Sequence, residues 1–450
     1  MENAMPALIS KFTPTINGSL HLLGDKSLSH RAIILSSLAT GESIIENLLE
    51  SDDILNTIKA LKNLGAIIYK ENFKWHVKGT GNGCLLESTK SLDCGNSGTS
   101  LRLLMGLVSS YDITTSFYGD ISLSRRPLKQ TLIPLKEMGA QIYPIEQTHL
   151  PITIKGSFTN APICYKLPTA SAQIKSAILL AALNVAGITT VIEPIKTRDH
   201  TEIMLKEFGA NIEIKLNENN EREIKIQGQT KLTPQNITIA GDISSAAFLI
   251  VAAIIVPKAK LLLKNILINE TRIGFIKILQ EMGAKITLQN IAIKHGEKIG
   301  DIYVENSELT GITVDSSWLP YTIDEYPILA IAASMAKGNS QFLGIQRLQY
   351  KESNRIKSLE QGLNICNIKC EATEDSLKIY GIDTKVNNKT PNFYEIDSNN
   401  DHRIAMSFLI LGLAMNTPIK VTNTGIIKTS FPDFLTLMQK IGANIYEAQT

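Results

Sequence analysis

Cysteine is scarce in this chain and scattered where it occurs, at residues 84, 94, 164, 366 and 370 of 450. An odd, dispersed set makes no disulfide framework and reads as reduced thiols of a cytoplasmic protein. Only Cys366 and Cys370 lie close together, and no second Cys/His pair follows them, which argues against zinc. Aromatics are few, at 6%. Neither sign of charge dominates: 45 Lys and Arg stand against 43 Asp and Glu, a formal net charge of +2. No broad basic face for nucleic acid is implied. Long apolar runs are missing as well; AAFLIVAAIIV, from Ala246, is about half the ~20 residues of a membrane span. The opening MENAMPALISKF lacks the basic stretch and apolar core of a secretory signal. What is left is an ordinary globular composition, 44% hydrophobic, in a chain long enough for two or more domains.

A short phrase recurs along that chain: LKNLGAIIY from Leu61, LKEMGAQIY from Leu135, LKEFGANIEI from Leu205, LQEMGAKITL from Leu279 and LMQKIGANIY from Leu437. A degenerate copy, LEQGLNICNIK, begins at Leu359. Each phrase predicts a helix with one apolar face, a glycine where the helix stops, and a strand beyond it. A second helix opens each unit, as in SHRAIILSSLA, TSLRLLMGLVSS, AQIKSAILLAALN, SSAAFLIVAAII and HRIAMSFLILGLA. These are apolar nearly all round and are expected to be buried. Units of roughly 70 to 80 residues fill the chain, predicting three units in each of two similar α/β domains. EIKLNENNEREIKIQGQ, from Glu213, reads as a hairpin with an exposed turn near Asn219, and GDISSAAF, from Gly241, as the start of the second domain. A small-molecule site is expected in the cleft between the halves.

Several polar stretches carry residues such a fold does not need. GDKSLSHR, residues 24 to 31, puts Lys26 and Arg31 at the start of a helix, where the dipole favours acids. DCGNSGTSLRLL, from Asp93, offers Gly95, Gly98 and the polar side chains of Asn96, Ser97, Thr99 and Ser100 as an anion cradle without a Walker lysine. GDISLSRRPL places Arg125 and Arg126 before Pro127, read here as the first turn of a helix. TASAQIKSAILL brings Ser171, Gln173 and Lys175; KTRDHTEIML brings Thr197, Arg198 and His200. In YKESNRI the four-residue spacing of Lys351 and Arg355 predicts a shared helical face, with Glu352 between them. NNDHRIAM holds Asp401, His402 and Arg403, and Asp324 opens the apolar helix of TIDEYPILAIAA. Taken singly these are caps, surface charges or core residues. Taken together, Lys26, Arg31, Arg126, Lys351, Arg355 and Arg403 are cations at helix starts in both halves. If they face one cavity they repel one another until anions fill it, which predicts ligands rich in phosphate and carboxylate.

The stretches GDKSLSHRA, GNSGTSLR, SRRP, SAQIKSA, TRDHTE, DEYPILA, KESNRI, NDHRIAM and SFPDF occur in this order over nearly the whole chain. In them the sequence resembles the 5-enolpyruvylshikimate-3-phosphate synthase (EPSP synthase) family, and NSGTSLRLL and SAQIKSA look like its class II branch. The resemblance implies two domains of three βαβαββ units with threefold pseudosymmetry, the enolpyruvyl transferase fold, with the active site in the interdomain cleft. It implies residues 25–239 as one domain, and residues 1–24 with 240–450 as the other. The implied reaction moves the enolpyruvyl group of phosphoenolpyruvate to the 5-hydroxyl of shikimate 3-phosphate on the shikimate route to chorismate and the aromatic amino acids. The resemblance further implies no metal, no organic cofactor, a cytoplasmic monomer, and the two small-molecule substrates in place of nucleic acid or membrane.

Carried over motif by motif, the resemblance implies that Lys26, Ser27, Arg31, Ser171, Ala172, Gln173, Thr197, Arg198, Asp324 and Lys351 hold shikimate 3-phosphate. Lys26, Asn96, Gly98, Arg126, Gln173, Arg355 and Arg403 are implied for phosphoenolpyruvate. Asp324 is expected to be the base on the 5-hydroxyl, Glu352 the acid at the phosphoenolpyruvate methylene, and Lys26 an aid to proton movement. A glutamate among arginines has its pKa lowered, so acid duty requires bound anions or burial. Many family members carry a lysine just before the late TFPD-like motif; in KTSFPDF that place is Thr429 or Ser430, with Lys428 earlier, so Lys428 stays outside the site. Gly98, in place of alanine, predicts competition by glyphosate. The rival readings are the sister transferase acting on UDP-N-acetylglucosamine, whose loop cysteine has no counterpart between Tyr111 and Gln130, and a non-catalytic clamp built from six repeats.

Overall fold

The computed structural model describes residues 7–381 and 391–448. They divide into two compact units: Leu23–Ala240 with Ile293–Glu297, and the remainder, made of residues up to Leu22, Gly241–Ala292 and the chain from Lys298 onward. The inclusion of Ile293–Glu297 in the first is a feature the sequence pattern does not announce.

The recurring phrase is a helix stop. In LKEMGA the helix Lys129–Met138 ends with Gly139 at φ 118°. Ala140 N–H donates to Leu135 O at 3.0 Å and Gly139 N–H to Lys136 O at 3.0 Å. This nested pair ties off two of the last carbonyls of the helix, and only the left-handed residue between them lets the chain turn back. The same pair closes the copies at Gly65, Gly209, Gly283 and Gly442, all with positive φ. In the degenerate copy Ile368 N–H donates to Leu363 O at 2.9 Å and Asn367 N–H to Asn364 O at 3.1 Å. Asn367, at φ 59°, therefore holds the glycine position. The copy is displaced by four residues from the register read at Leu359, because asparagine also tolerates the left-handed region. Gly362 serves another purpose: a Cβ there would lie 2.2 Å from the Phe408 ring.

Among the described residues six four-stranded sheets follow one plan, in which an edge strand runs parallel to its neighbour and that neighbour antiparallel to the next. The first sheet borrows its parallel edge, Asn236–Thr238, from the far end of its own unit, where Asn236 pairs with Ile44. The chain's early strands complete two sheets of the other unit: Asn17–His21 pairs with Lys260–Leu267, and Leu8–Ser10 lies between Ile419–Thr422 and Ile445–Glu447. The polar stretch at Glu213 forms the antiparallel pair Ile212–Leu216 and Arg222–Gln227.

Inside each unit lie the apolar helices. Lys26–Leu38, Gly98–Val108 and Ala172–Ala182 form one set; Ile243–Ile255, Tyr326–Ser334 and His402–Gly412 the other. Every residue of the last three is buried. Several of the candidate site residues lie at the polar N-terminal ends of these helices. Among the described residues no helix is long and apolar enough to cross a membrane.

Candidate active site

In the Leu23–Ala240 unit the helix Lys26–Leu38 starts on Asp25, whose carboxylate accepts from Leu28 N–H at 2.9 Å. The dipole is therefore met from the cap, which frees the first turn for a cation. Lys26 forms an ion pair with Asp53, a buried carboxylate in the first turn of helix Asp52–Asn63. The cation expected to await an outside anion already has one from the protein. No spacing rule joins positions 26 and 53, so Asp53 was not singled out.

Ser27 is half-buried, and its carbonyl accepts from Arg31 Nη1 at 2.9 Å. Arg31 also donates from Nε to Thr201 Oγ1 at 2.7 Å and from Nη2 to Ser176 Oγ at 2.9 Å. It thereby fastens three helix starts together. Between Lys26 and Arg31, His30 is fully buried, with Nδ1 2.9 Å from Thr57 Oγ1. Burial first, then the neighbouring Lys26 and Arg31, hold its pKa well below the ordinary value.

The anion cradle is formed by the turn before helix Gly98–Val108. Ser97 caps the helix by accepting from Ser100 N–H at 3.1 Å. Asn96 donates to Asp120 Oδ2 at 2.6 Å and accepts from Arg126 Nη2 at 2.9 Å. Arg126 does not open a helix: it follows the short helix Ile121–Ser124, and Pro127 precedes Leu128, the cap of Lys129–Met138. Gly98 is buried, and a Cβ there would lie 2.8 Å from Arg102 Nη1 and 3.3 Å from Arg126 Nη1. Arg102, another residue missed in the sequence, donates to Gly98 O and to Pro127 O, both at 3.1 Å. It joins the two stretches assigned to phosphoenolpyruvate.

Ser171 caps helix Ala172–Ala182, Ala172 and Gln173 are its half-buried first residues, and Gln173 Nε2 donates to Thr99 Oγ1 at 3.1 Å. Thr197 is buried, and both its N–H and its hydroxyl donate to Glu193 Oε1, at 2.9 and 2.5 Å. Arg198 beside it is half-buried. His200 is not a ligand-facing group: its Nδ1 lies 2.7 Å from Glu297 Oε1 in a fully buried setting.

The other unit holds a second cluster. Asp324 lies one residue ahead of the cap of Tyr326–Ser334, so its carboxylate is not spent on capping. Lys351 Nζ lies 3.1 Å from Asp324 Oδ1 and Arg355 Nη1 3.9 Å. The predicted shared helical face is absent, because helix Arg355–Ile365 starts only after Asn354 and Lys351 ends a preceding 3-10 turn. The two cations converge on Asp324 instead. Arg355 is buried, with Nε 2.8 Å from Asp401 Oδ2 and Nη2 2.6 Å from Glu352 Oε2. Burial opposes its charge, but Asp401 and Glu352 outweigh burial and hold its pKa above the ordinary value. Asp401 also caps His402–Gly412. Burial pushes its pKa up and Arg355 pulls it down, with a net lowering. Arg403 donates from Nη1 to Asp324 O at 2.8 Å and lies 3.6 Å from buried Glu325, whose Oε1 accepts from Ser244 at 2.5 Å. Lys428 is exposed.

Contacts join Asp324, Lys351, Glu352, Arg355 and Arg403 into one polar cluster, whereas in the other unit they form smaller groups around Lys26, Arg31, Arg126 and Gln173. The cations are less naked than their sequence implies, since Asp53, Asp324, Glu352, Asp401 and Glu325 accompany them. Paired in this way, the cations do not face one another uncompensated.

Comparison with known proteins defines the class first. A solved structure of the enolpyruvyl transferase NikO from Streptomyces tendae shares the fold at TM-score 0.77, with 16% identity over 99% of this chain and 100% of that one. EPSP synthase from Acinetobacter baumannii is similar at TM-score 0.85 and 40% identity, over 98% of this chain and 100% of that one. A 3-phosphoshikimate 1-carboxyvinyltransferase of a Chelativorans species is 48% identical over 97% of each chain. The family model described as EPSP synthase (3-phosphoshikimate 1-carboxyvinyltransferase) matches residues 12–438. The chain belongs to the EPSP synthase family.

Proposed function

We propose that the chain transfers the enolpyruvyl group of phosphoenolpyruvate to the 5-hydroxyl of shikimate 3-phosphate, releasing phosphate. Shikimate 3-phosphate takes Lys26, Ser27, Arg31, the Ser171–Gln173 helix start, Arg198, Asp324 and Lys351 as its contacts. Phosphoenolpyruvate takes Arg126, the Gly98 turn with Asn96, Arg355 and Arg403, with Lys26 and Gln173 between the two ligands. The protein works as a cytoplasmic monomer in the route to chorismate.

The observation that carries the reading is the chain of contacts Lys351–Asp324–Arg355–Glu352, because the reaction needs a base at the hydroxyl and an acid at C3 and this chain holds a carboxylate for each. Asp324 takes the proton of the 5-hydroxyl as its oxygen attacks C2. Glu352 gives a proton to C3, and the ketal phosphate so formed collapses by losing phosphate from C2 and a proton from C3 back to Glu352, which restores the C2–C3 double bond. Glu352 Oε2 accepts from Arg355 Nη2 at 2.6 Å. The carboxylate of phosphoenolpyruvate competes for Arg355, and Glu352, released from that guanidinium, regains the basicity to carry a proton.

A coupled phosphate-release assay tests the reading. Release that requires shikimate 3-phosphate and phosphoenolpyruvate together, and that glyphosate inhibits in competition with phosphoenolpyruvate, is the expected result. No release with this pair, or equal release with UDP-N-acetylglucosamine as acceptor, overturns it.

A further inference from the structure

One turn beyond the Ser171–Gln173 helix start lies a buried charge cluster that the reaction above does not use. Lys175 is fully buried, with Nζ 2.8 Å from Glu193 Oε1 and 2.8 Å from Glu202 Oε1. Arg222 closes the other side, its Nη1 2.8 Å from Glu193 Oε2 and 3.7 Å from Glu202 Oε1. Two carboxylates and two cations leave the cluster neutral. Glu193 ends the strand Ile188–Glu193, Glu202 lies in the first turn of helix His200–Glu207, and Arg222 begins the strand Arg222–Gln227. Glu193 is also the acceptor for both the N–H and the hydroxyl of Thr197.

Burying four charges gives no more stability than well-packed apolar side chains of the same volume, and often less. What this cluster supplies is direction. Glu193 grips the turn that presents Arg198, and through Lys175 it grips the helix that presents Ser171, Ala172 and Gln173. Arg31 reinforces the arrangement from the next layer, because Ser176 and Thr201, its partners, adjoin Lys175 and Glu202 in sequence and bond each other at 2.6 Å.

We propose that Glu193 is a positioning residue for the shikimate 3-phosphate half of the site: it locks the Thr197–Arg198 turn to the Ser171–Gln173 helix start, so that both address one phosphorylated ligand. Thr197 serves the ligand through the turn, since its hydroxyl proton is directed to Glu193. The inference rests on the proposed function and deepens it by separating residues that touch the ligand from the carboxylate that places them.

The test is Glu193→Gln, which keeps the shape and removes the charge. Calorimetric titration with shikimate 3-phosphate in the absence of phosphoenolpyruvate reads the affinity. Loss of a charged hydrogen-bonded acceptor predicts a Kd raised roughly tenfold or more. The KM for phosphoenolpyruvate at saturating shikimate 3-phosphate and kcat stay within about twofold. Arg222→Gln, at the more exposed edge of the cluster, gives the same pattern with smaller amplitude and serves if the first variant does not fold. Ile224→Ala, a buried change in the same strand as Arg222, controls for instability: it lowers Tm and leaves the affinity intact. Affinity unchanged in the Glu193 and Arg222 variants, or lost equally in Ile224→Ala, overturns the inference alone. A parent chain that binds no shikimate 3-phosphate overturns the proposed function and this inference with it.

Discussion

Asp324, the proposed base, lies one residue ahead of a helix cap. Glu325 occupies the cap position, and the Asp324 carboxylate lies against Lys351 and, at longer range, Arg355. Asp324→Asn keeps the size and loses the basicity, so kcat falls by about 10²- to 10⁴-fold while the Kd for shikimate 3-phosphate changes far less. Single-turnover rates and equilibrium titration on the same variant check this. Gly98→Ala adds a methyl 2.8 Å from Arg102 Nη1 and 3.3 Å from Arg126 Nη1. Both neighbours are ends of long side chains, so the chain folds and the guanidiniums shift. The KM for phosphoenolpyruvate rises roughly tenfold, and glyphosate inhibition weakens by more, in steady-state assays. His30 gives a pH signature. Its folded pKa is depressed, so the unfolded chain takes up the proton first, near the ordinary value of about 6.5. Its stabilising contribution is intact above that pH and is lost as pH falls below it, at up to about 1.4 kcal/mol per pH unit. Tm measured from pH 7.5 to 5 falls more steeply for the parent chain than for His30→Gln.

At the level of elements, the repeated phrase is legible because a helix stop has a local chemistry. Leucine at the last turn, glycine at the left-handed position and alanine beyond it are dictated by two hydrogen bonds within six residues. Gly209, at φ 84°, has no atom closer than 3.4 Å to an added Cβ, so Gly209→Ala isolates backbone strain. The expected loss is about 1 to 2 kcal/mol, a fall of a few degrees in Tm by calorimetry. Asn367→Gly in the degenerate copy leaves Tm unchanged or slightly higher. The same locality explains what the sequence hides. Lys26 and Arg355 are conspicuous because cations at helix starts break a local rule, and the structure does gather them into clusters. Their carboxylate partners break none. Asp53 sits acceptably in a helix's first turn, Glu193 at a strand end and Glu325 at a cap, so nothing nearby marks them out. The Lys351–Arg355 spacing misleads for a related reason, since the i, i+4 rule holds only inside a helix and Asn354 starts the helix after Lys351.

At the level of the molecule, copies of one unit supply buried helices, and most of the proposed site residues lie at or near helix starts, with Arg126 and Lys351 on turns between elements. That division explains how a nearly neutral chain concentrates cations without a basic surface. The central claim is that Arg126 and Arg403 both serve as phosphoenolpyruvate contacts in the proposed transfer. The direct measurement is the phosphate-release assay on Arg126→Gln and Arg403→Gln, each titrated with phosphoenolpyruvate at saturating shikimate 3-phosphate. The account predicts that both variants raise the KM for phosphoenolpyruvate by roughly tenfold or more, as expected for loss of a charged contact to a bound anion. A normal KM in either variant, with the protein folded and turning over, contradicts it.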